Sequence, residues 1–92
     1  MTKRKTLIQN KLEMYLAVLT NSIDKVYDFN NRIEICSADI EKLKSIAKPS
    51  QKELDKLSWA RYRLDDLELQ IELEEVKQDK IKSLILNIEK YV

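Results

Sequence analysis

Tyr62 and Arg63 follow Trp59 at spacings of three and four, which places both beside it on one helical face. Trp, Tyr and Arg concentrate binding energy, because each joins a large contact area to a polar tip. Arg63 is spaced to stack on Trp59. Further along the chain, Asp65, Glu68, Glu72, Glu75 and Asp79 form an acidic line at spacings of three and four. Carboxylate dimetal sites in helical bundles add a Glu-x-x-His motif, and this chain has no His. That absence also removes the usual zinc ligand sets, the facial triad and Ser–His nucleophilic chemistry. Paired-carboxylate catalysis needs two carboxyls held in a pocket with separated pKa values. The acidic line, lying between apolar stripes, reads instead as a solvated face. With no Gly either, phosphate-cradling loops and dinucleotide sites are excluded. The expectation is a protein that is not an enzyme, with no catalytic residue, metal or cofactor.

Basic residues offer one other chemistry. Lys3, Arg4 and Lys5, with Lys11, stand near one terminus, and Lys80, Lys82 and Lys90 near the other. Such a patch can grip phosphate, although Glu13, Asp79 and Glu89 dilute it. A nucleic-acid-binding hairpin using Lys3, Arg4, Lys5 and Lys11 is therefore the alternative function. The chain as a whole gives it no support, since 17 Lys and Arg oppose 16 Asp and Glu. Cys36 stands alone and cannot form an internal disulfide, which fits a reducing, cytoplasmic setting. No apolar run approaches the ~18 residues that span a bilayer, so no membrane partner is expected.

The elements that position these residues follow from periodicity. The chain has 92 residues, 36% of them charged and 43% hydrophobic, and reads as one domain, 1–92. In the first half, Leu12, Leu19, Val26, Ile33, Ile40 and Ala47 alternate with Ile8, Tyr15, Ser22, Phe29, Cys36 and Leu43 at spacings of three and four. Ser22 is the one polar member of this seam, and a sustained 3.5-residue repeat is the signature of a coiled coil. It predicts a helix over 5–47, with Asn30-Asn31 as a place where it could fray.

Lys48-Pro49-Ser50 breaks the pattern. Pro49 lacks a backbone donor and disfavours helix at Lys48. Ser50 and Glu53 then match a capping box, in which each side chain satisfies the other's backbone N–H. The prediction is a turn at 48–50 and a second helix over 51–91. Its seam is Leu57, Ala60, Leu64, Leu67, Ile71, Glu74, Gln78, Ile81, Ile85, Ile88 and Val92.

Two helices of similar length joined by a short turn form an antiparallel hairpin. If facing residue numbers sum to about 100, Ser22 falls opposite Gln78 with Glu74 beside it. Cys36 then faces Leu64, and apolar layers match at both ends. The polar residues of the two seams thus land on one another, a layer that can fix register. Asp39 and Arg63 would attract across the groove and Lys25 and Lys77 repel, at about 0–1 kcal/mol each.

The chain holds more apolar surface than one seam can use. Tyr62, Leu69, Leu73, Val76, Leu84 and Tyr91 cluster roughly opposite the second helix's seam, with Trp59 at the edge. Met14, Leu16, Val18 and Ile23 widen the apolar face of the first helix. A helix with two apolar stripes sits inside a bundle or an oligomer, and each Leu or Ile left wet forgoes about 1.5–3 kcal/mol.

The fold class is therefore all-α: an antiparallel two-helix coiled-coil hairpin dimerising into a four-helix bundle. The predicted function is protein–protein interaction, as a structural or assembly component, an adaptor or a small inhibitor. The partner interface is Trp59, Tyr62, Arg63, Leu69, Leu73, Val76 and Leu84, and the partners are a second copy and another protein. In shape the chain is similar to the plasmid copy-number hairpins, which pair as antiparallel dimers and bind RNA loops. It is also similar in shape to the small type VII secretion substrates, but their Trp-x-Gly turn is absent: here the turn is Lys48-Pro49-Ser50, and Trp59-Ala60-Arg61 lies within the second helix. Thirteen Lys against four Arg, and ten Ile against four Ala, fit an AT-rich coding sequence such as those of low-GC bacteria, their mobile elements and viruses.

Overall fold

A computed structural model describes residues 3–91, with side chains over 7–91. Two helices, α1 (Lys3–Lys44) and α2 (Gln51–Glu89), pack against each other as a hairpin. Within that hairpin the chain divides into two compact units. The terminal unit comprises Met1–Val26 and Leu73–Val92, and the turn unit comprises Tyr27–Glu72.

α1 runs unbroken through Asn30 and Asn31, both exposed. Asn in a helix interior costs only a few tenths of a kcal/mol, and the half-buried seam residues Phe29 and Ile33 on either side outweigh it. The helix stops at Lys44, short of the predicted Ala47. The Ser45 hydroxyl donates to the Lys42 carbonyl at 2.7 Å, and the Ile46 N–H reaches the Leu43 carbonyl at 3.4 Å. Both contacts tighten the last turn to an i→i−3 pattern, a common way to end a helix. No described residue takes a positive φ, so α1 ends without a left-handed cap, as a Gly-free sequence requires. Lys42 and Lys44 lie in that last turn, where cations oppose the negative end of the helix dipole. Ala47 is thereby removed from the seam and is exposed.

α2 starts as its capping box predicts. The Glu53 N–H donates to Ser50 Oγ at 3.2 Å, and the Ser50 N–H donates to Glu53 Oε1 at 3.0 Å. The Ser50 backbone N–H is the main reason that the Glu53 carboxyl sits below its ordinary value of 4.5, with the Ser50 side chain and then Lys56 adding smaller effects in the same direction. At the far end, the Tyr91 N–H bonds the Ile88 carbonyl at 2.9 Å and the regular helix finishes at Glu89, before the predicted 91.

The predicted seams form the core of each unit. In the turn unit Cys36, Ile40 and Leu67 are buried, with Phe29, Ile33, Leu43, Leu57, Ala60, Leu64 and Ile71 half-buried around them. In the terminal unit Ser22, Ile81 and Ile85 are buried, flanked by Ile8, Leu12, Tyr15, Leu19 and Val26. The predicted Val92 lies outside the described residues. Register is visible in the cross-helix bonds. Ser22 meets Gln78 and Glu74, as predicted. The Cys36 thiol donates to the Ala60 carbonyl at 3.0 Å; that carbonyl points along α2 toward Leu64, the residue predicted opposite Cys36.

Candidate interaction surface

Two side-chain constellations stand out, one in each unit. In the turn unit, residues one position before the seam on each helix line an open groove. Arg32, Ile35, Asp39 and Lys42 come from α1, and Lys56, Trp59, Arg63 and Asp66 from α2. Cys36, Leu43, Ala60 and Leu67 complete its lining. The groove has a sequence cause. Cys36 and Ala60 are small seam residues, so the layer where the thiol meets the Ala60 carbonyl leaves a depression that larger side chains would fill.

Trp59 packs edge-on to Tyr62, with ring centroids 6.1 Å apart and planes at 83°. No stacking of Arg63 on Trp59 accompanies this aromatic pair among the described residues. An edge-to-face arrangement suits the ring quadrupoles and leaves the Arg63 guanidinium in the groove lining. No ion pair links Asp39 to Arg63, although both line the groove. Trp59 is 71% exposed and Ile35 65%, so both present apolar surface along the groove. Tyr62 and Leu69, the other predicted contacts in this unit, are exposed as well.

The terminal unit holds the remaining predicted contacts, Leu73, Val76 and Leu84, all exposed on α2. It also holds the polar layer. The Gln78 amide donates to Ser22 Oγ at 3.2 Å, and that hydroxyl donates to Glu74 Oε2 at 2.6 Å. Lys25 Nζ stands 3.9 Å from the other Glu74 oxygen. Lys25, expected to repel Lys77, thus has an opposite charge beside it. Ser22 is 1% exposed, and no buried side-chain N or O among the described residues lacks a partner. The layer is therefore a satisfied structural network, with no polar atom left over to hold a ligand.

The acidic line Asp65, Glu68, Glu72, Glu75 and Asp79 is exposed throughout. No three Cys, Asp or Glu residues among the described residues gather closely enough to hold a metal ion. Of the candidate nucleic-acid contacts, Lys11 is exposed, while the side chains of Lys3, Arg4 and Lys5 lie outside the described residues. No helix among the described residues is long and apolar enough to cross a membrane.

Some exposed apolar residues escape the periodicity argument: Leu7, Tyr27, Ile35, Leu54 and Leu86. Ile35 matters most, since it joins Trp59 in the groove. Its signal was present in the sequence as an apolar residue one place before a seam position, on the same flank as Trp59. No family model, curated protein or solved structure matches this chain.

Proposed function

We propose that this protein is a non-enzymatic interaction module, a helical hairpin that associates with itself and serves as an assembly component. Its smallest assembly is two hairpins in a four-helix bundle, working in a reducing intracellular compartment. The observation that carries the reading is the set of exposed apolar side chains on α2. Leu69 is 51% exposed, Leu73 56% and Val76 67%. Among the described residues, large apolar side chains left open outnumber the five that are buried, which is the reverse of a self-sufficient core. A small hairpin has little core of its own, and association is a common remedy.

The test is solution mass by light scattering over a concentration series. Wild type should exceed the monomer mass, and Leu69→Glu with Leu73→Glu should return it to monomer while keeping helical circular dichroism. Wild type that is monomeric throughout the series refutes the reading. So does a double substitution that leaves the mass unchanged.

A further inference from the structure

The small net charge of the chain conceals a division of charge within the terminal unit. Antiparallel pairing puts the positions preceding the seam of both helices on one flank, as the groove lining of the turn unit shows. In the terminal unit, among the residues with described side chains, these positions hold Lys11, Lys25, Lys77 and Lys80 and no Asp or Glu. Lys25 stands 3.9 Å from the seam carboxylate of Glu74, while Lys11, Lys77 and Lys80 make no ion pair among the described residues. Interleaved with the lysines on the same flank are Leu7, Met14, Leu73, Leu84 and Tyr91, all exposed. The following positions hold Glu13, Glu75, Asp79 and Glu89 against Lys82. Leu16, Ile23 and Leu86 are exposed on that second flank too, so charge, and not apolar exposure alone, sets the two flanks apart.

We infer that the lysine flank of the terminal unit lies on an anionic membrane surface. The inference goes beyond self-association and does not rest on it; of Leu69, Leu73 and Val76, only Leu73 belongs to both surfaces. An anionic bilayer meets both halves of the flank's chemistry at once. Lysine ammonium groups reach headgroup phosphates while their stems lie along neighbouring apolar side chains. Leu7, Met14 and Leu84 enter the boundary between headgroups and acyl chains, and the ring of Tyr91 suits the headgroup level. Nucleic acid would satisfy the lysines but leave these aliphatic side chains against phosphate, with Tyr91 as the one ring for a base to stack on. A protein partner would have to place carboxylates at the spacing of Lys11, Lys77 and Lys80, whereas a bilayer presents its charge as a continuous sheet. With the lysine flank down, Glu13, Glu75, Asp79 and Glu89 face water, turned away from the lipid charge. Lying on a bilayer needs no spanning helix; it needs an apolar surface rimmed by Lys or Arg.

The experiment is co-sedimentation with sucrose-loaded vesicles at 50 mM and 500 mM NaCl. One set is phosphatidylcholine alone, and the other is seven parts phosphatidylcholine to three parts phosphatidylglycerol. Wild type should partition to the mixed vesicles roughly tenfold more strongly than to phosphatidylcholine, and the preference should shrink at the higher salt. Lys77→Gln with Lys80→Gln should weaken partitioning roughly tenfold, and Leu7→Ser with Tyr91→Ser should weaken it as well. Lys82→Gln with Lys90→Gln makes the same change in net charge away from the flank and should stay within about twofold of wild type. All six positions are exposed, and circular dichroism verifies that the variants stay helical. Wild type that does not sediment with the mixed vesicles overturns the inference, and binding of a DNA duplex in their place turns it toward the nucleic-acid alternative. Equal weakening by the two lysine pairs overturns it by assigning the attraction to net charge. Partitioning untouched by Leu7→Ser with Tyr91→Ser overturns it by leaving the apolar side chains without a part. Each of these results leaves self-association standing, because that reading is tested by mass without lipid.

Discussion

Replacing Ser22 by Ala should destabilise the hairpin more than replacing its partner Glu74 by Leu, although Glu74 is the larger and charged residue. The order follows from the geometry of the layer. The Ser22 hydroxyl gives Glu74 a hydrogen bond of 2.6 Å and accepts one from Gln78 at 3.2 Å. A bond to a charged group contributes about 1.5–3 kcal/mol and a neutral one about 1 kcal/mol. The loss is not the full sum, because the Glu74 side chain is 15% exposed and has Lys25 at 3.9 Å, so water and lysine recover part of it. A net cost of about 1–2 kcal/mol remains, which for a chain of this size lowers Tm by about 4–16 °C. Glu74→Leu acts differently. Ser22 already lies 3.4 Å from the Glu74 backbone carbonyl, which survives the substitution and can take over its proton. Leu also adds apolar burial to the seam at that layer. The measurement is thermal and urea unfolding by circular dichroism at one protein concentration, since association makes Tm depend on concentration. Ser22→Ala at or above wild-type stability refutes the reasoning, as does Glu74→Leu falling below Ser22→Ala.

Converting the whole layer with Ser22→Ala, Glu74→Leu and Gln78→Leu should raise Tm yet weaken the choice of register; amide NMR should show one set of peaks for wild type and several for the triple variant. Glu53 supplies a pH-dependent term. Its folded pKa lies below the ordinary value of 4.5, mainly through the Ser50 backbone N–H that donates to its carboxylate, so its contribution is full above that value and is lost as pH falls through the folded one. Wild type should therefore lose more Tm than Glu53→Gln between pH 6 and pH 3, and equal losses in the two proteins count against the capping box. Ser50→Ala removes the acceptor for the Glu53 N–H and should cost about 1 kcal/mol, read as a lower urea midpoint at unchanged slope. Cys36 is 5% exposed and should react with a thiol reagent only as fast as the turn unit opens; labelling as fast as a free thiol peptide would show that the Cys36–Ala60 layer is open in solution.

Legibility in the sequence tracked the number of independent constraints on each position. Seam residues such as Ile40, Leu67, Ile81 and Ile85 had to satisfy a heptad and face a counterpart in the other helix, and both demands were readable. Ser22, Glu74 and Gln78 were legible for the same reason, since three polar exceptions in two seams have one register that unites them. The Ser50–Glu53 cap was readable because it is entirely local. The end of α1 was not. Ala47 continued the heptad, but the Ser45 hydroxyl and the i→i−3 bond of Ile46 closed the helix at Lys44. Periodicity carries no information about that competition. The Trp59–Tyr62 pair was equally hidden, because spacing placed Trp59, Tyr62 and Arg63 on one face without deciding which two would touch. Ile35 was missed because sequence spacing ranked stripes within a helix, whereas the groove is built from two helices at once.

The groove and the charge polarity share a cause that neither helix reveals alone. In the turn unit the positions preceding the seam hold four basic and three acidic residues, and those following it two basic and five acidic. Only the antiparallel pairing sums the flanks, because it brings the preceding positions of α1 beside the preceding positions of α2. A parallel pairing of the same two helices would instead put preceding beside following positions and mix the two sets. The turn at Pro49 therefore does more than reverse the chain. By making the pair antiparallel it gathers the positions following both seams, where acidic residues predominate, onto one face. It also sets Ile35 beside Trp59 over the small Cys36–Ala60 layer. Substitutions that enlarge that layer, such as Ala60→Leu, should fill the depression between the charged borders without altering any charge. If the groove takes part in assembly, Ala60→Leu should weaken wild-type association, read as a lower mass by light scattering at one concentration. Association unchanged by Ala60→Leu, in a variant shown to be folded, would mean that assembly runs through Leu69, Leu73 and Val76 and leaves the groove aside.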